Sequence, residues 1–151
     1  MTMTKGKLTR GDIVVAAFPF TDLSGDKRRP ALVIASQASS NDALLAFISS
    51  VIPQNPTAYE IVLASSAPDF QQTGLKVSSV LRLNKLATIE RNLITRQLGQ
   101  LAIGRLSEVD DVLIKALGID LSRYMIIERR RLSQILNIAG LDALQKTLQA
   151  S

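Results

Sequence analysis

Lys27, Arg28 and Arg29 stand in a row directly before Pro30. A proline disfavours the helical region at the residue before it, so Arg29 is expected to be extended at the mouth of a strand. From there its fork of donors can grip a phosphate in bidentate fashion, or it can pair with Asp22 or Asp26 in the same loop, a surface ion pair of little energetic value. Ser49 and Ser50 close an apolar run. A hydroxyl at that point can donate to a phosphate oxygen or orient an attacking hydroxyl, or it can cap the turn before Pro53. Arg82, Asn84 and Lys85 form a third group, and strand alternation would put Arg82 and Asn84 on one face. Asn84 can read a base edge or orient a phosphate, but it cannot titrate. Lys85 suits either a phosphate contact or a strand edge protected by charge. Lys27 and Arg28 would hold an anionic backbone without regard to its sequence.

The residues that are missing narrow the chemistry further. The 151-residue chain has neither His nor Cys, so catalytic triads, thiolate nucleophiles, disulfides and nearly every transition-metal site are excluded. No cofactor is expected. The formal charge is +5, and the whole excess falls in residues 76–151, which is compatible with an anionic partner but equally with a solvated surface. The opening MTMTKGKLTR lacks a signal-like apolar core and no run is long enough to span a bilayer, so a cytoplasmic protein is expected, with no membrane partner.

These groups must be held by something small. GDIVVAAF and PALVIA are short, apolar and flanked by turn formers, and read as strands. FPFTDLSGDKRRP between them reads as an exposed loop, in which Phe18 and Phe20 either offer stacking faces, as Tyr59 could, or seal the body. ALLAFISSVIP and EIVLA give two more strands, and SSVLRLNKL alternates, with Leu81 and Leu83 opposite Val80, Arg82 and Asn84. This spacing predicts a mainly β fold, a small curled sheet or barrel. The pattern then turns helical. Ser107 and Asp110 are spaced as a capping pair, Val109, Val112, Leu113, Ala116 and Leu117 recur at helical spacing, and Gly118 is a stop signal. From about residue 122 a further helical pattern carries a stripe of Leu132, Ile135, Leu136 and Ala139, then a short segment with Leu141, Leu144 and Leu148.

Taken in order, RGDIVVAAFPFTDLSGDKRRPALVIAS, LLAFISSVIP, SVLRLNKLATI and IGRLSEVDDVLIKALG resemble the MazF/PemK toxins, over roughly residues 10 to 118. The resemblance implies an SH3-like barrel with a C-terminal helix, usually a homodimer, that cleaves single-stranded RNA without metal. It also implies the toxin half of a toxin-antitoxin pair, silenced by an antitoxin protein and meeting operator DNA only through that complex. By resemblance Arg29 is catalytic, Ser49 fills a hydroxyl position of the site, and Arg82 with the position of Asn84 serves catalysis or RNA contact. The family often carries an ionisable residue where this chain has Asn84.

Since Arg stays protonated, the 2′-OH proton would pass to water, to a carboxylate such as Asp22, or to the leaving phosphate. Attack by that hydroxyl gives a 2′,3′-cyclic phosphate and a free 5′-OH, which DNA cannot do. Two other readings stay open: a protein-binding toxin of the CcdB type, and a relative that only binds nucleic acid. The expected division is a barrel with its helix over 1–118 and a helical extension over 119–151, packed on the same domain or on the partner protomer. A self-restraining extension lying in the antitoxin groove is the sharper alternative.

Overall fold

The computed structural model describes residues 7–18, 27–124, 130–132 and 134. The chain divides into two compact units, Met1–Leu117 and Gly118–Ser151. The first holds six strands: β1 (Asp12–Ala17), β2 (Arg28–Ser36), β3 (Asp42–Ser49), β4 (Glu60–Leu63), β5 (Ser79–Glu90) and β6 (Ile94–Gln100), followed by one helix, α1 (Ile103–Ala116). All pairings are antiparallel, in the spatial order β4-β5-β3-β2-β1-β6. The mainly β body with a terminal helix agrees with the expectation. Its sheet is open, with β4 and β6 as edges. The 3-10 turn Gln71–Thr73, reached from β4, lies against β6 at the far edge.

Both faces of the sheet are buried at its centre, which is why β1 and β2 read as continuous apolar runs rather than alternating ones. Along β2, Leu32 and Ile34 enter one cluster with Ile13, Ile48, Leu81 and Leu83, closed by Phe70, Leu101, Val109 and Leu113. Ala31 and Val33 enter the other, with Val14, Ala16, Leu45, Ile89 and Phe18. Each fully buried aliphatic side chain contributes roughly 1.5–3 kcal/mol.

The Gly-Asp pair at the start of β1 has a structural account. Gly11 sits at φ 93°, where a side chain is strained. Its N–H donates to the Val33 carbonyl at 2.9 Å and its carbonyl accepts from Leu101 N–H at 2.8 Å. Asp12 is buried, and its carboxylate accepts from Thr9 N–H at 2.8 Å, Gln97 Nε2 at 3.0 Å and Gln100 Nε2 at 2.9 Å. One buried anion thus ties the chain entry to β6, its charge met by three donors.

The helix departs from the sequence reading. It begins at Ile103 with Ala102 at the N-cap and no side-chain cap, and Ser107 Oγ donates to the Gly104 carbonyl at 3.2 Å. Tertiary anchoring decides the start: Leu101 is buried and its N–H is held by Gly11, so the helix winds up two residues later. Gly118 does end it, at φ 63°. Val109 and Leu113 face the sheet, whereas Leu117, assigned to that stripe from its spacing, is exposed.

In the second unit Ser122 N–H donates to Asp120 Oδ1 at 2.9 Å, and residues 122–124 are helical. Leu132 of the expected stripe is 51% exposed. Ile135, Leu136, Ala139 and the segment with Leu141, Leu144 and Leu148 lie outside the described residues. Among the described residues no helix is long and apolar enough to cross a membrane.

Candidate active site

Arg29 enters β2 with Ala16 of β1 as its cross-strand partner. Ala16 belongs to the second cluster, so Arg29 projects on that face of the sheet, as alternation requires. On its other side, β2 pairs with β3 from Ala31↔Phe47 onward in the chain. Pro30 has no N–H to give, and the β2–β3 ladder stops there. The same register continued past Pro30 sets Arg29 opposite Ser49. Strand end meets strand end, and the pair sits where the ladder opens.

Ser49 Oγ accepts the Val51 N–H at 3.1 Å, the turn-capping bond that its position suggested. Accepting leaves the hydroxyl proton to donate elsewhere. On its other flank Ser49 pairs with Val80 of β5, followed by Ile48↔Leu81 and then, two residues along and so on the same face, Phe47↔Arg82. Arg82 therefore lies on the same face as Ser49 and Arg29, one strand beyond Ser49. Phe47 packs on Phe18 with ring centroids 4.0 Å apart and planes at 31°. Phe18 is buried, so it seals the body and offers no stacking face.

Glu60, unremarked in the sequence, completes the group. It opens β4 directly across from Arg82. Its Oε1 accepts Arg82 Nε at 2.9 Å, with the two side chains 2% and 33% exposed respectively. Its Oε2 accepts the Thr57 N–H at 2.9 Å. The Thr57 hydrogen bond holds the carboxyl below its ordinary pKa; burial opposes this and the Arg82 charge adds to it. The register that joins β4 to β5 was the missing signal, since nothing in the spacing of residues 60 and 82 declares them neighbours.

The remaining expected contacts are dispersed. Arg28 alternates to the other face of β2, opposite Ala17, and Lys27 is exposed just before the strand. Ser50 is exposed beyond the end of β3. Asn84 and Lys85 are exposed in a stretch where β5 slips its register on β3, between Ala46↔Leu86 and Phe47↔Arg82. Leu83 N–H bonds the Tyr59 carbonyl there at 3.0 Å. The alternation holds as far as Leu83, and Asn84 leaves the β3 ladder that Arg82 keeps. Asp22, Asp26 and Phe20 lie outside the described residues. Among the described residues no cluster of three or more carboxylates is placed to hold a metal ion.

Residues 9–117 match the family model of the PemK-like, MazF-like toxins of type II toxin-antitoxin systems. Among solved structures, the Mycobacterium tuberculosis toxin MazF-mt6 superposes with a TM-score of 0.58 at 20% identity, covering 72% of this chain and 98% of its own. MazF from Deinococcus radiodurans gives 0.57 at 23% identity, covering 73% and 96%. A mycobacterial endoribonuclease in complex with its cognate antitoxin gives 0.57 at 14% identity, covering 76% and 98%. No curated protein sequence matches.

Proposed function

The chain belongs to the PemK-like, MazF-like family and is a toxin of a type II toxin-antitoxin system, and from that premise we propose that it is an endoribonuclease that cuts single-stranded RNA without metal. The observation that supports this most is the β2–β3 register, which when extended two residues past Ala31↔Phe47 brings Arg29 opposite Ser49, with Arg82 on the same face one strand further. Two guanidinium groups flanking a hydroxyl suit a phosphodiester drawn across the strand ends.

In this reading Arg29 binds the scissile phosphate and stabilises the charge that builds as phosphorus becomes five-coordinate. Ser49 donates its hydroxyl proton to a non-bridging oxygen. The RNA's own 2′-OH attacks phosphorus in line, its proton passing to water or to the phosphate, and the P–O5′ bond breaks, the departing 5′ oxygen taking up a proton from water or from the phosphate. The products are a 2′,3′-cyclic phosphate and a 5′-OH. Arg82 holds a phosphate beside the scissile one. Lys27, Arg28, Ser50, Asn84 and Lys85 contribute weaker contacts along the strand. The active form in this reading is a homodimer, a cognate antitoxin silences it, and operator DNA is met only through the antitoxin complex; a similar mycobacterial endoribonuclease is found in complex with its cognate antitoxin.

Incubation with mixed-sequence single-stranded RNA in EDTA, followed by mapping of the ends, tests this reading. Cleavage with 5′-OH ends is expected, together with no cleavage of DNA or 2′-O-methyl RNA of the same sequence. Intact RNA after incubation, or cutting of the 2′-O-methyl strand, overturns it.

A further inference from the structure

We propose that Glu60 is a positioning residue that acts through Arg82, fixing its guanidinium so that both Nη groups face a backbone phosphate. This rests on the reading above that the face bearing Arg29, Ser49 and Arg82 binds RNA.

Glu60 is itself held at two points. Its Oε2 accepts the Thr57 N–H at 2.9 Å and its own N–H donates to the Thr57 carbonyl at 3.1 Å. The side chain, only 2% exposed, therefore has no room to follow a moving partner. Its Oε1 takes the Arg82 Nε at 2.9 Å, and because the guanidinium is planar, binding Nε to a fixed oxygen sets the plane of the whole fork. A single bond through Nε leaves the end of the fork, with its two Nη groups, for a bidentate anion. Among the described residues those Nη groups have no partner.

The backbone supports the same arrangement. Glu60 and Arg82 are in direct register, and the Leu83 N–H bonds the Tyr59 carbonyl at 3.0 Å, so the strands are locked on both sides of the pair. Such a half-buried pair adds little stability, because withdrawing the Glu60 charge from water offsets its attraction to a partly exposed Arg82. A pre-set phosphate fork, in contrast, loses less freedom on binding than a swinging one. Glu60 is poorly placed to take a proton from the 2′-OH, since both oxygens are occupied and the side chain is shielded.

The test is a double-mutant cycle on the full chain, with Glu60→Gln, Arg82→Ala and the two combined. Glu60→Gln keeps the size and one acceptor but removes the charge, so a folded protein is expected, checked by thermal melting. Two readouts are used: single-turnover cleavage of RNA, and affinity for 2′-O-methyl RNA across a salt series. Glu60→Gln should slow cleavage and weaken binding about tenfold in the parent and less than twofold in the Arg82→Ala background. Equal losses in both backgrounds would show that Glu60 serves the fold alone and overturn the proposal, as would no loss in the parent. If the parent does not cut RNA, the nuclease reading fails, and the binding cycle decides this proposal separately by the same criterion.

Discussion

At the scale of single residues, the candidate site depends on which groups the strand ends bring face to face. Ser49 accepts the Val51 N–H at 3.1 Å, and in the proposed mechanism it also donates its proton to the phosphate. Replacing it with alanine removes both, but the capped turn is exposed, where such a bond contributes only about 0.5–1.5 kcal/mol. Ser49→Ala is therefore expected to slow RNA cleavage by tenfold or more with little change in melting temperature, and Ser49→Thr to retain most of the rate. Full activity in the alanine variant would remove Ser49 from the site. Arg29, Ser49 and Arg82 stood out as candidates in the sequence because their types suit phosphate chemistry and the family resemblance marks their positions. Glu60 was not legible. Its meaning comes from pairing with a residue 22 positions away, and pairing across strands is set by tertiary register rather than by local pattern.

Individual elements show where local signals were enough and where packing overrode them. Strands β1 to β4 announced themselves by apolar runs between turn formers and β5 by its alternation, but β6, a largely polar ITRQLGQ, gave no such signal, and Gly118 marked the helix end. The helix start did not obey its capping pair, since the Leu101 anchor to Gly11 sets it. Ser107→Ala should accordingly change stability by less than about 0.5 kcal/mol in urea denaturation, whereas a working N-cap would be worth about 1 kcal/mol. The contact between the 3-10 turn and β6 behaves oppositely. A side chain at Gly99 would place its Cβ 2.2 Å from the Gln72 carbonyl oxygen, a backbone clash that no rotamer relieves. Gly99→Ala should destabilise the protein by about 1–3 kcal/mol, as overpacking does elsewhere. A neutral result in the same titration would mean that β6 and the turn are not packed this closely.

For the molecule as a whole, the composition set limits without locating the site. The absence of His and Cys removed the usual bases and nucleophiles, and a nuclease that borrows its nucleophile from RNA needs neither. The +5 charge was a weaker guide, because Arg29 and Ser49 fall in the half of the chain that carries no net charge. Carboxylates also decide the acid response. Glu60, Asp69 and Asp120 are all held below their ordinary pKa, by the Thr57 backbone, the Arg105 side chain and Ser122 respectively. Depressed folded-state values make the stabilisation complete above the unfolded pKa and lost as pH falls through the folded one. Urea midpoints should thus be level near neutrality and decline once pH drops below the ordinary carboxylate range of about 4. A midpoint that rises on acidification would contradict these assignments.

In the proposed mechanism Arg29, at the β2 end where the β2–β3 ladder opens, stabilises the transition state of RNA cleavage. The most direct measurement is the single-turnover rate of Arg29→Ala on single-stranded RNA in EDTA, beside the parent protein, with melting curves for both. Removing one such charge-stabilising group is expected to lower the rate by about 100-fold or more at unchanged melting temperature. Cleavage at the parent rate by a folded Arg29→Ala protein would contradict the account.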